Sequence, residues 1–382
     1  MYSVFAYGKM IADAPRMKAY VSALRQAVTR ESVVIDIGSG PGLFALLACQ
    51  MGARRVYAIE PDNVIEVARQ AAIANGYADR LICIQDVSTR VSLPEQADVI
   101  ISDLHGILPW FQQHLPSIAD ARRRLLKPGG ILIPQREIVW AAPAEAPEYY
   151  SQLVGPWNDN QYGLDLSSAR RFVTNTWRKL RVTPEQLVGQ PAQWCVLDYT
   201  TLEEPDSHGE VSWTIAQART AHGFAMWFDS ELIDGIGFSN RPAEAELIYG
   251  KAFFPFSHPI QLVPGDEITL TISADMVGDD YVWRWTTRII NQEDPASVKT
   301  EFKQSTFFGV PLSVAGLHKR AGSHTPLLND EGQIENFILS VMDGQTALEE
   351  IARRLIVQFP DRFAKQSDAL TLAGEVALKY SQ

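Results

Sequence analysis

The most constraining feature of the chain is an apolar run that ends in a glycine-rich turn. Residues 34–42 read VIDIGSGPG, so a predicted strand leads directly into the turn and a helix follows it. Glycine lets the backbone turn sharply and pass close to a ligand, and the free N–H groups of a helix N-terminus attract a carboxylate. The segment therefore predicts a βα unit that binds a small molecule at the carboxyl edge of a parallel sheet.

The surrounding pattern extends this unit into a Rossmann-like domain over residues 1–135. Short apolar runs alternate with helical patterns, which is typical of a doubly wound parallel sheet. The predicted strands are Val33–Ile37, Val56–Glu60, Leu81–Gln85, Ala97–Asp103 and Gly130–Pro134. A helix over Met10–Val28 is predicted to lead into the first strand.

After Pro134 the pattern changes to alternating β-branched and aromatic segments, which predicts an antiparallel β-barrel or sandwich over residues 136–315. Its predicted strands are Glu137–Ala142, Trp194–Thr201, Val211–Ala216, Ala221–Glu231, Glu267–Ser273 and Tyr281–Ile289. A helical arm over Ser167–Gln190 is expected to interrupt them. A linker at Gly316–Pro326 then precedes a small helical domain over residues 325–382, with helical spacing in Asn336–Tyr380.

Composition excludes several classes of function. The 382 residues carry a net charge of −11, which argues against a nucleic-acid partner and favours cationic ligands or peptides. No apolar run is long enough to cross a membrane, and the N-terminus does not resemble a signal peptide, so the cytoplasm is the expected location. Cys49, Cys83 and Cys195 lie far apart in apolar runs, which suits buried thiols better than a metal site or disulfides.

The glycine loop favours S-adenosylmethionine over a dinucleotide. Its GxGxG spacing is shorter than the G-x-G-x-x-G of pyrophosphate sites, and Asp36 would repel a pyrophosphate but accept hydrogen bonds from an ammonium group. Glu60 ends the second strand where a ribose diol would lie, and Asp86 follows the third, where it can accept a hydrogen bond from an adenine amino group. Alone, each carboxylate could simply cap a turn. The predicted cofactor-binding residues of the loop and strand ends are Asp36, Gly38, Ser39, Gly40, Gly42, Glu60, Asp86 and Val87.

Residues 33–60, VVIDIGSGPGLFALLACQMGARRVYAIE, resemble the cofactor motif of the protein arginine methyltransferases. The resemblance covers about residues 5–310. It includes a helix over the cofactor with Met10, Asp13 and Arg16, an acceptor loop at IISDLHG, a last core strand at LKPGGILIP, and the segment YGLDLS at the start of the barrel. It implies that Arg16 binds the cofactor carboxylate, and that a two-fold homodimer forms in which the 167–190 arm docks on the partner.

Two departures from the family pattern concern the methyl acceptor. The family holds a guanidinium between two glutamates nine positions apart, and Asp103 and Gln112 occupy those places here. The family's Thr-His-Trp loop aligns with Ile248, Tyr249 and Gly250. One carboxylate fewer weakens charge-assisted binding of arginine, so arginine as the acceptor is in doubt. His105 is a candidate base for another nucleophile, although a lone loop histidine is more often structural.

Residues 334–359, including FILSVMDGQTALEEIARRL, resemble small winged-helix peptide-recognition domains of the PQQ-biosynthesis D type. This resemblance implies recognition of the leader peptide of a ribosomally made, modified peptide, by β-augmentation at a strand edge. A helical cap that packs on the barrel is the alternative.

The predicted function is transfer of a methyl group from S-adenosylmethionine to a side chain of a peptide or protein. Asp103, His105 and Gln112 are the candidate catalytic residues. Methylation of a small molecule at nitrogen or oxygen is the enzymatic alternative. A catalytically inactive module that binds the cofactor and a partner is the alternative of another class.

Overall fold

The computed structural model describes residues 3–291 and 294–381. Its N-terminal part contains a five-stranded sheet of order β3-β2-β1-β4-β5 in which every neighbouring pair is parallel. In chain order the elements are α1 (Val4–Ala12), α2 (Ala14–Ala27), β1 (Val33–Ile37), α3 (Leu43–Gln50), β2 (Arg55–Ile59), α4 (Ile65–Ala74), β3 (Leu81–Ile84), β4 (Ala97–Ser102), α5 (His114–Arg124) and β5 (Leu126–Ile133). The strand order reverses between β1 and β4, so the loops that follow these two strands flank the crevice where such sheets bind ligands. The predicted Rossmann-like fold is confirmed.

The predicted helix over Met10–Val28 is two helices that meet at Asp13. This residue ends α1 and begins α2, where its Oδ1 accepts a hydrogen bond from the Arg16 N–H at 3.4 Å. Pro15 lies in the first turn of α2, where its missing N–H costs nothing. Oδ2 of Asp13 accepts a further hydrogen bond from the Ile248 N–H at 2.7 Å. Asp13, at the break between the two helices, therefore connects the start of α2 to a loop of the antiparallel β domain.

Beyond residue 135 the strands are antiparallel, as predicted. The elements are β6 (Arg136–Ala144), α6 (Pro147–Asn158), α7 (Arg170–Thr174), β7 (Arg178–Leu180), β8 (Ala192–Asp198), β9 (Ser207–Thr214), β10 (Arg219–Ile233), β11 (Ile236–Ser239), β12 (Lys251–Leu262), β13 (Asp266–Val277), β14 (Asp280–Asn291) and β15 (Asp294–Ser305). One sheet has the order β7-β12-β10-β6-β8, with β11 paired to β10, and the other has the order β15-β14-β13-β9. Aromatic residues such as Phe254, Trp283 and Trp285 fill the core and are at most 2% exposed.

The predicted helical arm over Ser167–Gln190 is wrong in its secondary structure. The segment contains 3-10 turns at Ser167–Ala169 and Pro184–Gln186, the five-residue α7 and the three-residue β7. Thr174, Asn175 and Thr176 are poor helix formers, and Arg178–Leu180 instead pairs with the open edge of β12 at Lys251–Phe253. Pairing satisfies backbone groups that a continued helix would have left open on that edge.

The chain divides into two compact units, the first ending at Pro311 and the second beginning at Leu312. The second contains α8 (Val314–Arg320), α9 (Asp330–Val341), α10 (Leu348–Gln358) and α11 (Gln366–Tyr380). Ile338, Ala352 and Leu355 are fully buried in its own core, and the predicted helical nature is confirmed. The predicted linker overlaps α8, because the Ser313 side chain caps that helix by accepting a hydrogen bond from the Gly316 N–H. Residues 312–381 contain no strand, so they offer no strand edge for β-augmentation.

Three further features limit the chemistry of the described residues. Their cysteines are free, with Cys49 buried but Cys83 and Cys195 only partly so, which corrects the expectation of three buried thiols. Within residues 3–291 and 294–381, no cluster of three or more His, Cys, Asp or Glu residues has metal-binding geometry. In the same ranges, no helix is long and apolar enough to cross a membrane.

Candidate functional site

The glycine loop between β1 and α3 adopts backbone conformations that require glycine. Gly38 and Gly40 have φ values of +66° and +52°, in the left-handed region that other residues rarely adopt. A Cβ on Gly38 would lie 2.0 Å from Cδ2 of Leu104, and one on Gly40 would lie 2.5 Å from Cε1 of Tyr7. The loop is therefore in contact both with helix α1 and with the loop that follows β4.

Asp36 is buried beneath this loop. Its Oδ2 accepts a hydrogen bond from the Ala45 N–H at 3.0 Å, in the first turn of α3. Burial raises the pKa of the Asp36 carboxyl to about 7, although the Ala45 hydrogen bond opposes this shift. The predicted ammonium-binding residue thus also stabilises the start of the helix that follows the loop.

Glu60 directly follows β2, and both of its carboxylate oxygens bind backbone N–H groups. Oε2 accepts from Gly40 at 2.9 Å and Oε1 accepts from Asp62 at 3.0 Å. The side chain therefore caps the following turn and also supports the glycine loop. Each carboxylate oxygen has a second lone pair, so two further hydrogen bonds remain available to a diol.

Asp86 and Val87 lie beyond β3 at the surface. Oδ1 of Asp86 accepts hydrogen bonds from the Val87 N–H at 2.7 Å and from Nε of Arg90 at 2.9 Å. The Val87 hydrogen bond and the Arg90 pair lower the pKa of the Asp86 carboxyl. The structure therefore shows the turn-capping role for Asp86 and leaves its Oδ2 for a ligand.

Three buried hydroxyl groups beside this crevice have no hydrogen-bond partner among the described residues. They are the hydroxyls of Ser39 in the glycine loop, Tyr20 on α2 and Ser102 at the end of β4. Buried polar groups are nearly always paired, so such groups indicate a polar ligand or water molecules. Together with the glycine loop and Glu60, they fit the polar amino-acid and ribose ends of S-adenosylmethionine.

Arg16 connects the cofactor crevice to the loop after β4. Its Nε donates to Oδ2 of Asp103 at 2.8 Å and lies 2.9 Å from the Tyr249 hydroxyl, and its Nη2 forms an ion pair with Asp103. The guanidinium is buried and lies 5.2 Å from the centre of the Tyr20 ring. Burial opposes its charge, but the carboxylate of Asp103 outweighs this effect and raises the pKa of Arg16.

Asp103 lies in the loop after β4, which is the predicted acceptor loop, and Tyr249 is its second partner. The Tyr249 hydroxyl donates to the Asp103 carboxylate, with its oxygen 2.8 and 2.9 Å from the two carboxylate oxygens. Burial favours the neutral acid, but the charge of Arg16, then that of His105, holds the pKa of Asp103 below its ordinary value. The segment that aligns with the family's Thr-His-Trp loop, residues 248–250, therefore reaches Asp103, and it does so through the hydroxyl of Tyr249.

His105 lies on the other side of Asp103 and contacts a residue that the sequence did not suggest. Its Nε2 is 3.2 Å from Oε1 of Glu137 on β6 and 3.8 Å from Oδ1 of Asp103. Glu137 is 0% exposed, and its Oε2 accepts a hydrogen bond from the Tyr199 hydroxyl at 2.7 Å. Burial disfavours the imidazolium, but Glu137 outweighs this effect and raises the pKa of His105.

The predicted role of Gln112 in the acceptor pocket is not supported. Its side chain is exposed and forms no hydrogen bond within the part of the chain that the structure describes, while its N–H lies 3.4 Å from Oδ1 of Asp280. Its φ of +46° lies in the left-handed region, which residues other than glycine rarely adopt. The second carboxylate near Asp103 is therefore Glu137, which lies on a strand and not on the acceptor hairpin.

Glu137 and Tyr249 are functional candidates that the sequence patterns missed. Glu137 is the one acidic residue in the run from Glu137 to Ala142, and the sequence pattern places it only as the first residue of a predicted strand. Tyr249 read only as the absence of a histidine. The burial of Glu137 could be predicted only if its partner were known, and that partner, His105, lies 32 positions earlier in the chain.

The chain matches two family models in comparisons with known proteins. One, for the arginine methyltransferase oligomerization subdomain, covers residues 135–285, and the other, for ribosomal protein L11 methyltransferase (PrmA), covers residues 16–142. Protein arginine N-methyltransferase 6 of Xenopus laevis is 30% identical over 330 residues, which is 83% of this chain and 87% of that protein. The chain belongs to the protein arginine methyltransferase family. A probable protein arginine N-methyltransferase 6 of Arabidopsis thaliana is 28% identical over 310 residues, 77% of this chain and 69% of that protein.

Solved structures of the family share the fold. A protein arginine methyltransferase 10 from Arabidopsis thaliana, crystallised in an open conformation, superposes with a TM-score of 0.69 at 23% identity, covering 79% of this chain and 97% of that one. The Trypanosoma brucei PRMT1 enzyme–prozyme heterotetramer with AdoHcy has a TM-score of 0.71 at 20% identity, covering 78% and 96%. Family membership confirms the predicted enzyme class, a methyltransferase that depends on S-adenosylmethionine, and the predicted cofactor.

Proposed function

We propose that this chain methylates a side chain of a peptide or protein, with Asp103 as the residue that binds the acceptor. One observation carries the proposal: Asp103 lies in the loop after β4, and its neighbour Leu104 contacts Gly38 of the glycine loop. Of the four charged side chains in the buried cluster, Asp103 is the most exposed, at 9% against 5% for Arg16, 1% for His105 and 0% for Glu137. An acceptor that reaches the cluster meets this carboxylate first.

The cofactor-binding residues are the loop Gly38–Gly42 with Ser39, the carboxylates Asp36, Glu60 and Asp86, and Arg16 for the cofactor carboxylate. When bound, S-adenosylmethionine supplies a methyl group on a sulfonium, which is already a good leaving group. The protein's own contribution is therefore mainly positioning and electrostatics. Glu60 and the glycine loop hold the cofactor, Asp103 orients the methyl acceptor, and Tyr249 fixes the carboxylate of Asp103.

The charges of the cluster favour an acceptor that is neutral when it binds. Arg16 and His105 balance Asp103 and Glu137, so no carboxylate in the cluster is left uncompensated. A guanidinium would bring another positive charge into this buried site, and the exposed Gln112 contributes no carboxylate. An imidazole, an uncharged amine or a hydroxyl needs a single acceptor of its hydrogen bond, which Asp103 provides. Arginine is therefore the less favoured side chain of a peptide substrate.

The second unit is the part of the chain that would select such a peptide. Its helices lie outside both family models, which end at residues 285 and 142, and it has its own core. A leader peptide of a ribosomally made product remains the proposed ligand, bound on a helix face because the described residues of this unit contain no strand. A homodimer of the catalytic unit completes the proposed assembly.

The test begins with calorimetry of S-adenosylmethionine and its demethylated product, which should both bind. Methyl transfer to arginine-, histidine- and lysine-containing peptides of matched sequence is then followed by mass spectrometry. The expected result is slower methylation of the arginine peptide than of the histidine peptide. Fastest transfer to arginine would overturn the acceptor assignment, and cofactor binding without transfer to any peptide would favour a binding module.

A further inference from the structure

In the function proposed above, the pair formed by His105 and Glu137 enters only through its charges. Both side chains are at most 1% exposed, and Nε2 and Oε1 lie 3.2 Å apart without the alignment of a hydrogen bond. Nδ1 of His105 lies 3.0 Å from the Gly106 carbonyl oxygen, to which it donates. The ring is held between Tyr249, stacked at 4.7 Å, and the edge of Phe228 at 4.7 Å. The histidine is therefore fixed with Nε2 close to two carboxylates.

Charged and titratable groups from several elements face this pair or its direct partners. They are Arg16 and Tyr20 from α2, Asp103 from the loop after β4, His114 from α5, Tyr199 from the end of β8, and Tyr249 from the loop before β12. The ring centre of His114 lies 5.8 Å from that of His105, and burial followed by the charge of His105 lowers the pKa of His114 to about 4. His114 is thus neutral at physiological pH and adds no positive charge.

We propose that Glu137 is a positioning residue for the acceptor site: it holds His105 as an imidazolium, which is the counter-charge that keeps Asp103 ionised during methyl transfer. The inference rests on the proposed function in assigning the acceptor to Asp103. The site therefore contains two carboxylates although Gln112 provides none. Asp103 binds the acceptor directly, and Glu137 acts through His105.

The physical need for this counter-charge follows from burial. A carboxylate in an apolar interior takes up a proton unless an opposite charge lies nearby. Arg16 provides an opposite charge for Asp103 in this structure. Because Arg16 is also proposed to bind the cofactor carboxylate, its charge would then be shared between two anions. His105, with Nε2 at 3.8 Å from Oδ1 of Asp103, remains as the cation whose partner does not change.

The same geometry argues against His105 as the general base. A base needs a free lone pair on a ring nitrogen, and the imidazolium has none, because one nitrogen donates to Gly106 and the other faces Glu137. Asp103, ionised while the methyl group is transferred, accepts the proton that the acceptor loses, and no transfer through His105 is needed. The sequence-based role of His105 is therefore replaced by an electrostatic one.

Glu137→Gln tests the proposal because the amide has the same shape and can still accept the Tyr199 hydrogen bond. The pKa of His105, followed by NMR of labelled imidazole rings and assigned with a His105→Gln variant, should fall by about 1–3 units, the usual effect of losing a nearby opposite charge. This measurement requires no substrate, so it tests the pair even if the proposed function is wrong. In methyl transfer, the acid limb of the kcat/KM profile should move up by about one unit.

Two comparisons separate this role from a packing role. Asp266→Asn is the matched control, because Asp266 is also a fully buried carboxylate, paired with Lys299 at 2.7 Å, and it lies at the start of β13. It should leave both the pKa of His105 and the acid limb unchanged. Glu137→Asp, which keeps the charge, should restore most of the wild-type profile.

The double variant His105→Gln/Glu137→Gln should lose no more activity than the worse single variant, since the two residues act as one unit. If Glu137→Gln does not fold, His105→Gln alone should give the same shift of the acid limb. A folded Glu137→Gln protein in which neither the pKa of His105 nor the acid limb changes would overturn the proposal. Additive losses in the double variant would also overturn it.

Discussion

Glu60→Ala is the substitution that most directly tests the cofactor site. The two free lone pairs of the carboxylate are proposed to accept the ribose hydroxyls, and hydrogen bonds to charged groups contribute about 1.5–3 kcal/mol. Loss of this contribution corresponds to roughly 10- to 150-fold weaker cofactor binding. The Gly40 and Asp62 N–H groups also lose their acceptor, so the unliganded protein should be destabilised as well.

Calorimetry at 25 °C measures the first effect, and thermal unfolding of the unliganded protein measures the second. Glu95→Ala is the matched control, because Glu95 pairs with Arg54 and Arg55 at the amino end of β2, the opposite end of the strand from Glu60. Its cofactor affinity should equal that of the wild type. If a folded Glu60→Ala protein keeps full affinity, Glu60 does not belong to the cofactor site.

Three further predictions follow from particular residues. Burial raises the pKa of Asp36 to about 7, above its ordinary value, so the buried carboxylate destabilises the protein progressively as pH rises from about 4 to 7. Asp36→Asn should remove this penalty, which is about 4 kcal/mol at pH 8 from 1.36 kcal/mol per pKa unit, as measured by denaturant titrations of both proteins at pH 4 and pH 8. Gln112→Glu should leave arginine-peptide methylation unchanged, because the side chain is exposed; a large increase would show that it reaches the acceptor. Sedimentation at micromolar concentration should give a dimer, weakened by Leu164→Glu at an exposed apolar position beside the 167–190 segment, and a wild-type monomer would contradict the homodimer.

The parallel sheet was predictable because its signals are local. Each strand is a short apolar run next to a glycine, a proline or an acidic cap, and the observed strands differ from the predicted ones by a few residues at the ends. The short strands β7 and β11 and the long antiparallel strands β12 and β15 were not predicted. Lys251–Phe256 of β12 is buried on both faces and so shows no alternation, and residues 294–305 of β15 are mostly polar. β12 was therefore missed because its burial does not follow the period of two, and β15 because its apolar residues are few.

The cofactor crevice was predictable for the same reason, and the acceptor site was not. Gly38, Gly40 and Glu60 lie at one edge of one sheet, so the order of strands along the chain is enough to bring them together. Asp103 joins Arg16 across 87 positions and Tyr249 across 146, through a break between two helices and a loop of the barrel. His105 meets Glu137 on β6, the first strand of the antiparallel part, across 32 positions. The resemblance placed Gln112 in the pocket by its position nine residues after Asp103, and in the structure its side chain is exposed. The second carboxylate of the cluster is Glu137 on β6, a position that spacing from Asp103 along the chain could not predict.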